Sequence, residues 1–324
     1  MFQYIHLNEY NTKLAALKIA ANKEGLNRDN LIMPMIITEK RREFSKILVT
    51  TPVNSIVTET QRIMDSGISR IMIFGIPKRR DTKGSEAWNP KGIIQRALRK
   101  IKVNFGNSVQ LITDMCVCQY NLSGHCGYIN TQGVGINNDR SLFYLKRIAL
   151  SHAEAGSDVV APSSMMDGQV ATIRSCLEEN GFNNVKIMSL AAKYASSLYS
   201  PFRVTAFSNI GAKIRIDKSS YQLSYSNIRE SLHEIAMDLK EGADMIMIKP
   251  SMISSDLIME TKRRFGCLLA VQNVSGEYIM VRTCGEKGFI NESEYILEYA
   301  ISMRRAGADL IMSYGLNKIT AYLD

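Results

Sequence analysis

Short, almost continuously apolar runs recur along the chain at residues 31–38, 70–76, 109–117, 158–163, 185–191, 245–250, 267–274 and 310–314. A strand that helices cover on both faces loses the alternation of apolar and polar positions, as these runs do. Between them the apolar spacing becomes helical. In 142–155, Leu142, Leu145, Ile148 and Ala149 share one face, with Asn138/Asp139 placed to cap the helix. Segment 228–240 repeats the pattern with Ile228, Leu232, Ile235 and Leu239. Four strands are approached in the same way, through a glycine two or three residues ahead: Gly67, Gly156, Gly242 and Gly307. A helix ends there in the left-handed conformation that glycine adopts freely. Eight strands with helical crossovers predict an α/β fold, a (β/α)8 TIM barrel over 29–324 with a short N-terminal arm over 1–28. An open doubly wound sheet is the alternative. No Gly-x-Gly-x-x-Gly follows the first strand, which argues against a dinucleotide site.

In a barrel, chemistry belongs at the carboxyl ends of the strands. Those ends carry Asp114, Ser163, Lys193, Lys249, Ser275 and Tyr314. The two lysines change the picture most. Lys249 closes the run Ala243-Asp-Met-Ile-Met-Ile-Lys249, and Lys193 closes Val185-Lys-Ile-Met-Ser-Leu-Ala-Ala-Lys193. Burying an ammonium costs several kcal/mol unless it is paired or neutral. A neutral, desolvated lysine is a nucleophile toward carbonyl carbons and forms Schiff bases. The plainer alternative is a lysine that carries its charge past the strand end into water. Two lysines converging on one barrel mouth favour chemistry.

Composition adds boundaries. The 324 residues are 45% hydrophobic, ordinary for a folded soluble protein. No apolar run reaches the length of a membrane span, and the start Met1-Phe-Gln-Tyr-Ile-His lacks the pattern of a secretion signal, so a cytoplasmic location is expected. Forty basic against 31 acidic residues give a net charge of +9, which suits anionic ligands. The basic residues are dispersed in short runs such as Lys40-Arg-Arg42, Lys78-Arg-Arg80 and Lys262-Arg-Arg264, without the one-faced basic and aromatic concentration of a nucleic-acid module. Neither nucleic acid nor membrane is expected as a partner.

Three of the six cysteines, Cys116, Cys118 and Cys126, fall within eleven residues just past the third strand. A cytoplasmic chain makes a disulfide framework unexpected. Three thiols on a glycine-containing loop can converge on one soft cation and leave a fourth position for water or substrate, as catalytic zinc sites require. His125 beside them is either a further ligand or a hydrogen-bonding residue, and cysteines meeting by chance in a buried loop are the bland alternative.

At these residues the chain resembles the porphobilinogen synthase (5-aminolaevulinate dehydratase) family, from about Asp29 onward. The shared motifs are the loop Asp114–Gly127, Ala161-Pro-Ser-Ser-Met-Met-Asp-Gly168, Met188-Ser-Leu-Ala-Ala-Lys-Tyr-Ala-Ser196, Pro201-Phe-Arg203, Tyr221-Gln222, Met247-Ile-Lys-Pro250 and Val274-Ser-Gly-Glu277. The resemblance implies a TIM barrel, usually octameric, that condenses two 5-aminolaevulinate molecules into porphobilinogen with loss of two waters. It implies Lys249 as the Schiff-base lysine of one substrate (the P side) and Lys193 as that of the other (the A side). Zinc would sit on Cys116, Cys118 and Cys126. Ser275 and Tyr314 would take the P-side carboxylate, and Arg203 with Lys218 the A-side carboxylate. Asp114, Ser163, Tyr199 and Gln222 would line the site, and Glu234 would be an accessory magnesium ligand. A loop over 200–222 would close over the anionic substrates.

The chain departs from the family pattern close to this chemistry. Ser164 and Gln169 stand where the family usually has a carboxylate and a guanidinium. Lys218 replaces an arginine, turning a bidentate clamp into a point charge. Gln272-Asn273 replaces Tyr-His, and about three extra residues precede Tyr221. The arginine-rich arm motif is missing. Three readings follow: a porphobilinogen synthase, a paralogue applying the same imine chemistry to another amino ketone or keto acid, and a binding or assembly protein. The retained lysines and cysteines oppose the third, since binding needs neither.

Overall fold

The computed structural model describes residues 2–40, 48–209 and 216–323, with side chains from residue 13 onward. Eight parallel strands form its centre: β1 (Leu31–Thr38), β2 (Arg70–Gly75), β3 (Gln110–Met115), β4 (Val159–Pro162), β5 (Lys186–Lys193), β6 (Met245–Lys249), β7 (Leu269–Gln272) and β8 (Leu310–Met312). Each pairs with its sequence neighbour, and β8 pairs back onto β1 through Leu31↔Ile311 and Ile32↔Met312. The sheet is therefore a closed barrel, which removes the open doubly wound alternative. The expected strands are all present but mostly one to three residues shorter at their ends, where side chains begin to serve the mouth. β5 is the exception and runs on to include Lys193.

The helices are α1 (Phe2–Lys23), α2 (Ile56–Asp65), α3 (Ile93–Phe105), α4 (Asn138–Glu154), α5 (Gln169–Glu179), α6 (Ser200–Thr205), α7 (Ile228–Lys240), α8 (Ser255–Phe265), α9 (Ser275–Glu286) and α10 (Glu292–Arg305). α7 matches its sequence pattern residue for residue. α4 is capped one position earlier than expected. Asn137, not Asn138 or Asp139, has the extended backbone of a cap and accepts from the Arg140 N–H at 2.9 Å. α1 is a long helix whose second half lies along α10, with Leu14 and Ala21 buried.

A repeated clasp holds the amino-terminal ends of the strands together. The turn glycines Gly67, Gly156, Gly242 and Gly307 all have the expected positive φ, between 82° and 112°. After three of them an aspartate opens the next strand: Asp158, Asp244 and Asp309. Each accepts from the first backbone N–H groups of the neighbouring strand, at Leu111 (2.7 Å), Ile187 (2.8 Å) and Leu269 (2.9 Å). Each also takes a cation from a helix, Lys102, Arg174 and Lys262 respectively. The stem of that cation lies over the turn glycine, where a Cβ would crowd it, most tightly at Gly307 at 2.7 Å from Lys262 Cβ. One residue thus fixes strand register and helix position together.

Burial works against the Asp244 charge, but the Ile187 N–H and Arg174 outweigh it and hold the carboxyl below its ordinary range. A depressed carboxyl stabilises the fold above the usual carboxylate range and loses that contribution as pH falls through the folded value. Asp244→Ala is expected to lower stability at neutral pH by about 1–3 kcal/mol, with the deficit shrinking in acid; denaturant titrations at neutral and acidic pH measure it.

Candidate active site

The residues predicted at the barrel mouth meet in one cavity with about 530 Å³ of empty space, counted out into open solvent. Lys249, Lys193, Arg203, Lys218, Gln222, Ser275, Tyr314, Asp114, Ser163, Tyr199 and the three clustered cysteines all line it. Glu234 does not.

The strands bring the two lysines side by side, and an irregularity in β5 makes this happen. Ser189 pairs with Ile246, but Lys193 pairs with Lys249, so β5 contains one residue more than β6 between the two pairs. Residues four apart on a regular strand point to the same face. Here Ser189 points outward and donates to Asp238 of α7, while Lys193 points into the cavity. The extra residue is a β-bulge that reverses the facing of the strand between them.

Both lysines are buried, yet their electrostatics differ. Burial and then the neighbouring Lys193 push Lys249 down to about 8, against a smaller upward pull from Asp114 and the cysteines. Lys249 also lies 6.0 Å from the centroid of the Tyr199 ring, and the Tyr199 hydroxyl donates to the Lys249 carbonyl at 3.2 Å. Lys193 goes the other way. Burial alone would lower it, but Cys126, Cys116, Cys118 and Asp114 together raise it above its ordinary value. Its Nζ donates to the Ser163 carbonyl and approaches the Cys126 sulfur to 3.8 Å. The expectation of a depressed amine therefore holds for Lys249 and fails for Lys193, because sulfur charge surrounds the latter.

Cys116, Cys118 and Cys126 place their sulfurs within 4.8 Å of one another, all buried, and Cys116 Sγ to Cys118 Sγ is 3.1 Å. No other group of three or more such ligand atoms occurs among the described residues. Hydrogen bonds from Cys116 and Cys118, and then Lys193 and Lys218, hold the Cys126 thiol well below its ordinary value. Three converging thiols, one of which loses its proton more readily than an ordinary cysteine, are the donor set of a soft divalent cation. His125 turns toward Tyr221, with Nδ1 3.1 Å from its hydroxyl, and so serves as a hydrogen-bonding residue. The Tyr221 hydroxyl also accepts from the Cys126 N–H at 3.1 Å.

Asp114 accepts from the Ser163 hydroxyl at 2.7 Å and from the Gln119 amide at 2.9 Å. Across the cavity, Ser275 opens α9 and its hydroxyl accepts from the Phe202 N–H at 3.1 Å. α9 approaches the Tyr199 segment so closely that a Cβ on Gly276 would stand 2.5 Å from the Leu198 carbonyl. Arg203 sits over the Tyr199 ring at 5.4 Å, and the buried Lys218 donates to the Ser208 carbonyl at 3.1 Å. The described parts of the expected loop are α6 and a helical turn at Lys218–Ser220. Residues 210–215 of this segment lie outside the described residues, as do Arg41 and Arg42.

Glu234 faces a separate groove with Asp167, Glu230 and His233. Burial, then Asp167, Glu241 and Glu230, raise its carboxyl to about 7. Sequence reasoning missed Gln119, Tyr221, Phe74 and Phe202 as members of the site or its support. Phe74 lies at a strand's carboxyl end, where the same rule would have found it. The other three act through contacts that their positions do not announce.

A closed (β/α)8 barrel with paired lysines and a three-thiol cluster in one mouth cavity defines a class: a barrel enzyme with an amine pair beside a soft-cation site. The family model for delta-aminolevulinic acid dehydratase matches residues 8–322, and the chain belongs to that family. It is 44% identical over 296 residues to the delta-aminolevulinic acid dehydratase of Methanothermobacter thermautotrophicus, covering 89% of this chain and 88% of that one. It is 41% identical over 309 residues to that of Methanothermus sociabilis, covering 94% and 93%. A solved structure of the Toxoplasma gondii enzyme in complex with its reaction product porphobilinogen superposes with a TM-score of 0.87 at 32% identity, covering 91% of this chain and 85% of that one.

The lysine asymmetry has a direct readout. Reductive methylation with formaldehyde and cyanoborohydride is expected to modify Lys249 with a midpoint near pH 8, while Lys193 stays unmodified until much higher pH. Peptide mass spectrometry across a pH series reports both, and equal labelling at every pH would contradict the assignment.

Proposed function

We propose that the protein is a porphobilinogen synthase, joining two molecules of 5-aminolaevulinate with loss of two waters. The observation that carries this reading is the Lys193–Lys249 pair, set on neighbouring strands in one cavity with the cysteine trio. A reaction between two copies of one ketone requires two carbonyl-binding groups facing a shared space. Two lysines provide it.

Lys249, lowered to about 8 and so neutral in a substantial fraction near neutral pH, adds to the ketone of the first substrate, and loss of water leaves an iminium. The iminium withdraws electrons and acidifies the adjacent carbon. Lys193 rests as an ammonium, held by the Ser163 carbonyl, and becomes a nucleophile only after losing its proton. Asp114, fixed by Ser163 and Gln119, is the carboxylate whose charge acts on both lysines and is the base we assign to the proton transfers. Arg203 and Lys218 bind the carboxylate of the substrate on Lys193, and Ser275 and Tyr314 that of the substrate on Lys249.

The thiol cluster fits zinc, which accepts three cysteine ligands and keeps a fourth position open. When bound, zinc supplies Lewis acidity beside the Lys193 substrate. An accessory magnesium at Glu234 belongs to this proposal by resemblance, and the groove there also holds Asp167, Glu230 and His233. An octameric assembly belongs to this proposal by resemblance. Lys218 and Gln272, both in the cavity, favour the alternative of a different amino ketone as substrate.

The test is to incubate the protein with 5-aminolaevulinate and zinc, assay porphobilinogen with Ehrlich reagent, and trap imines with borohydride. Product with an adduct at Lys249 supports the proposal. An adduct without product points to the other amino ketone, and no adduct with any keto acid points to a binding role. Cys118→Ala is expected to lose bound zinc and at least about a hundredfold in activity, since Lewis-acid stabilisation is worth several kcal/mol. Full activity in that variant would remove the metal assignment.

A further inference from the structure

The cavity holds a buried acceptor that the reading above does not use. Gln272, the last residue of β7, is 4% exposed and lines the cavity, and its Oε1 has no hydrogen-bond partner. Few buried polar atoms in folded proteins lack a partner, and one that faces a ligand cavity points to a ligand. The position is specific. The β6–β7 pairing runs Leu269↔Ile246, Ala270↔Met247 and Val271↔Ile248, so it continues to place Gln272 beside Lys249. The Gln272 carbonyl is already engaged by the Ser251 N–H at 3.1 Å, which anchors the backbone and leaves the side chain to the cavity. The neighbouring Asn273 is spent on the barrel, accepting from Ser313 at 3.1 Å.

We propose that Gln272 is a specificity-determining residue: its amide oxygen accepts a hydrogen bond from the amino group of the α-amino ketone held on Lys249. The proposal rests on the imine reading of Lys249. The ketone carbon bonded to Lys249 Nζ and an amine one carbon away lie within the span of one side chain. A glutamine on the next strand reaches the second while the lysine holds the first. An acceptor suits this place, since an amino group taken out of water needs an oxygen partner, and the imine on Lys249 offers none. A ketone without the amine would leave Oε1 buried and unpaired, so the site would discriminate against it. Sites built to bond a polar group reject its absence far better than apolar sites reject an extra methylene.

The experiment is borohydride trapping at Lys249, quantified by peptide mass spectrometry, with two probes: 5-aminolaevulinate and 4-oxopentanoate, which is the same acid without the amine. Gln272→Leu, close in size, is expected to raise the 5-aminolaevulinate concentration needed for half-maximal trapping by about tenfold to a hundredfold, the value of one hydrogen bond to a charged group. The 4-oxopentanoate value is expected to stay within about twofold, which also shows that the variant is folded. Gln272→Glu, which keeps the acceptor, is expected to retain preference for the amine. An equal loss for both probes in Gln272→Leu, no loss for either, or a Gln272→Glu that behaves like leucine overturns the proposal. Failure of wild-type Lys249 to trap either probe would instead overturn the imine reading.

Discussion

One extra residue in β5 is the constraint on which the site depends. A regular strand that turned Ser189 toward α7 would also turn the residue four positions later toward the helices. Lys193 would then sit among apolar side chains, and Lys249 would face the cavity alone. The bulge between Ser189 and Ala192 lets the strand do both jobs: its first half is held to α7 through the Ser189–Asp238 hydrogen bond, and its end turns an amine to the mouth. Bulges concentrate near active sites because they re-aim side chains without a loop.

Placing charge in this cavity has consequences for each lysine. Burial, and then the repulsion between two ammoniums in one volume, favours loss of a proton from one of them. The sulfur cluster decides which. It lies against Lys193, whose Nζ is 3.8 Å from Cys126, and stabilises that cation, so the depression falls on Lys249. The amines are chemically identical side chains on adjacent strands, and their different states come from which neighbour has the thiols. That asymmetry makes Lys249 the more readily deprotonated of the two amines.

Much of this was legible in the sequence. The barrel followed from buried strands and repeated helix–glycine–strand turns, and strand ends named most of the mouth residues, since both depend on local periodicity. The cysteine cluster was visible because its ligands lie close in the chain. What stayed hidden depends on long-range geometry. Apolar composition in Leu190-Ala-Ala192 gives no sign of a bulge. Nothing in a lone Lys193 shows that three sulfurs will surround it. Tyr221 lies about ninety-five residues from Cys126, and only the folded chain brings its hydroxyl to that backbone. Capping at Asn137 instead of Asn138 or Asp139 was a contest among three competent residues, and only the folded backbone shows that Asn137 is the extended one.

The clasps and the mouth occupy opposite ends of the same strands, and this separation explains where the chain departs from its family. Asp158, Asp244 and Asp309 fix register before each strand begins, whereas Lys218 and Gln272 line the cavity at the other end. A change at the mouth leaves every clasp bond intact, so the barrel tolerates substitution there at little cost in register. A change at a clasp would move two strands and a helix together, and with them both lysines. The geometry that pairs the lysines is thus carried by residues remote from the cavity, and not by side chains such as Gln272, whose Oε1 bonds to no other group of the scaffold.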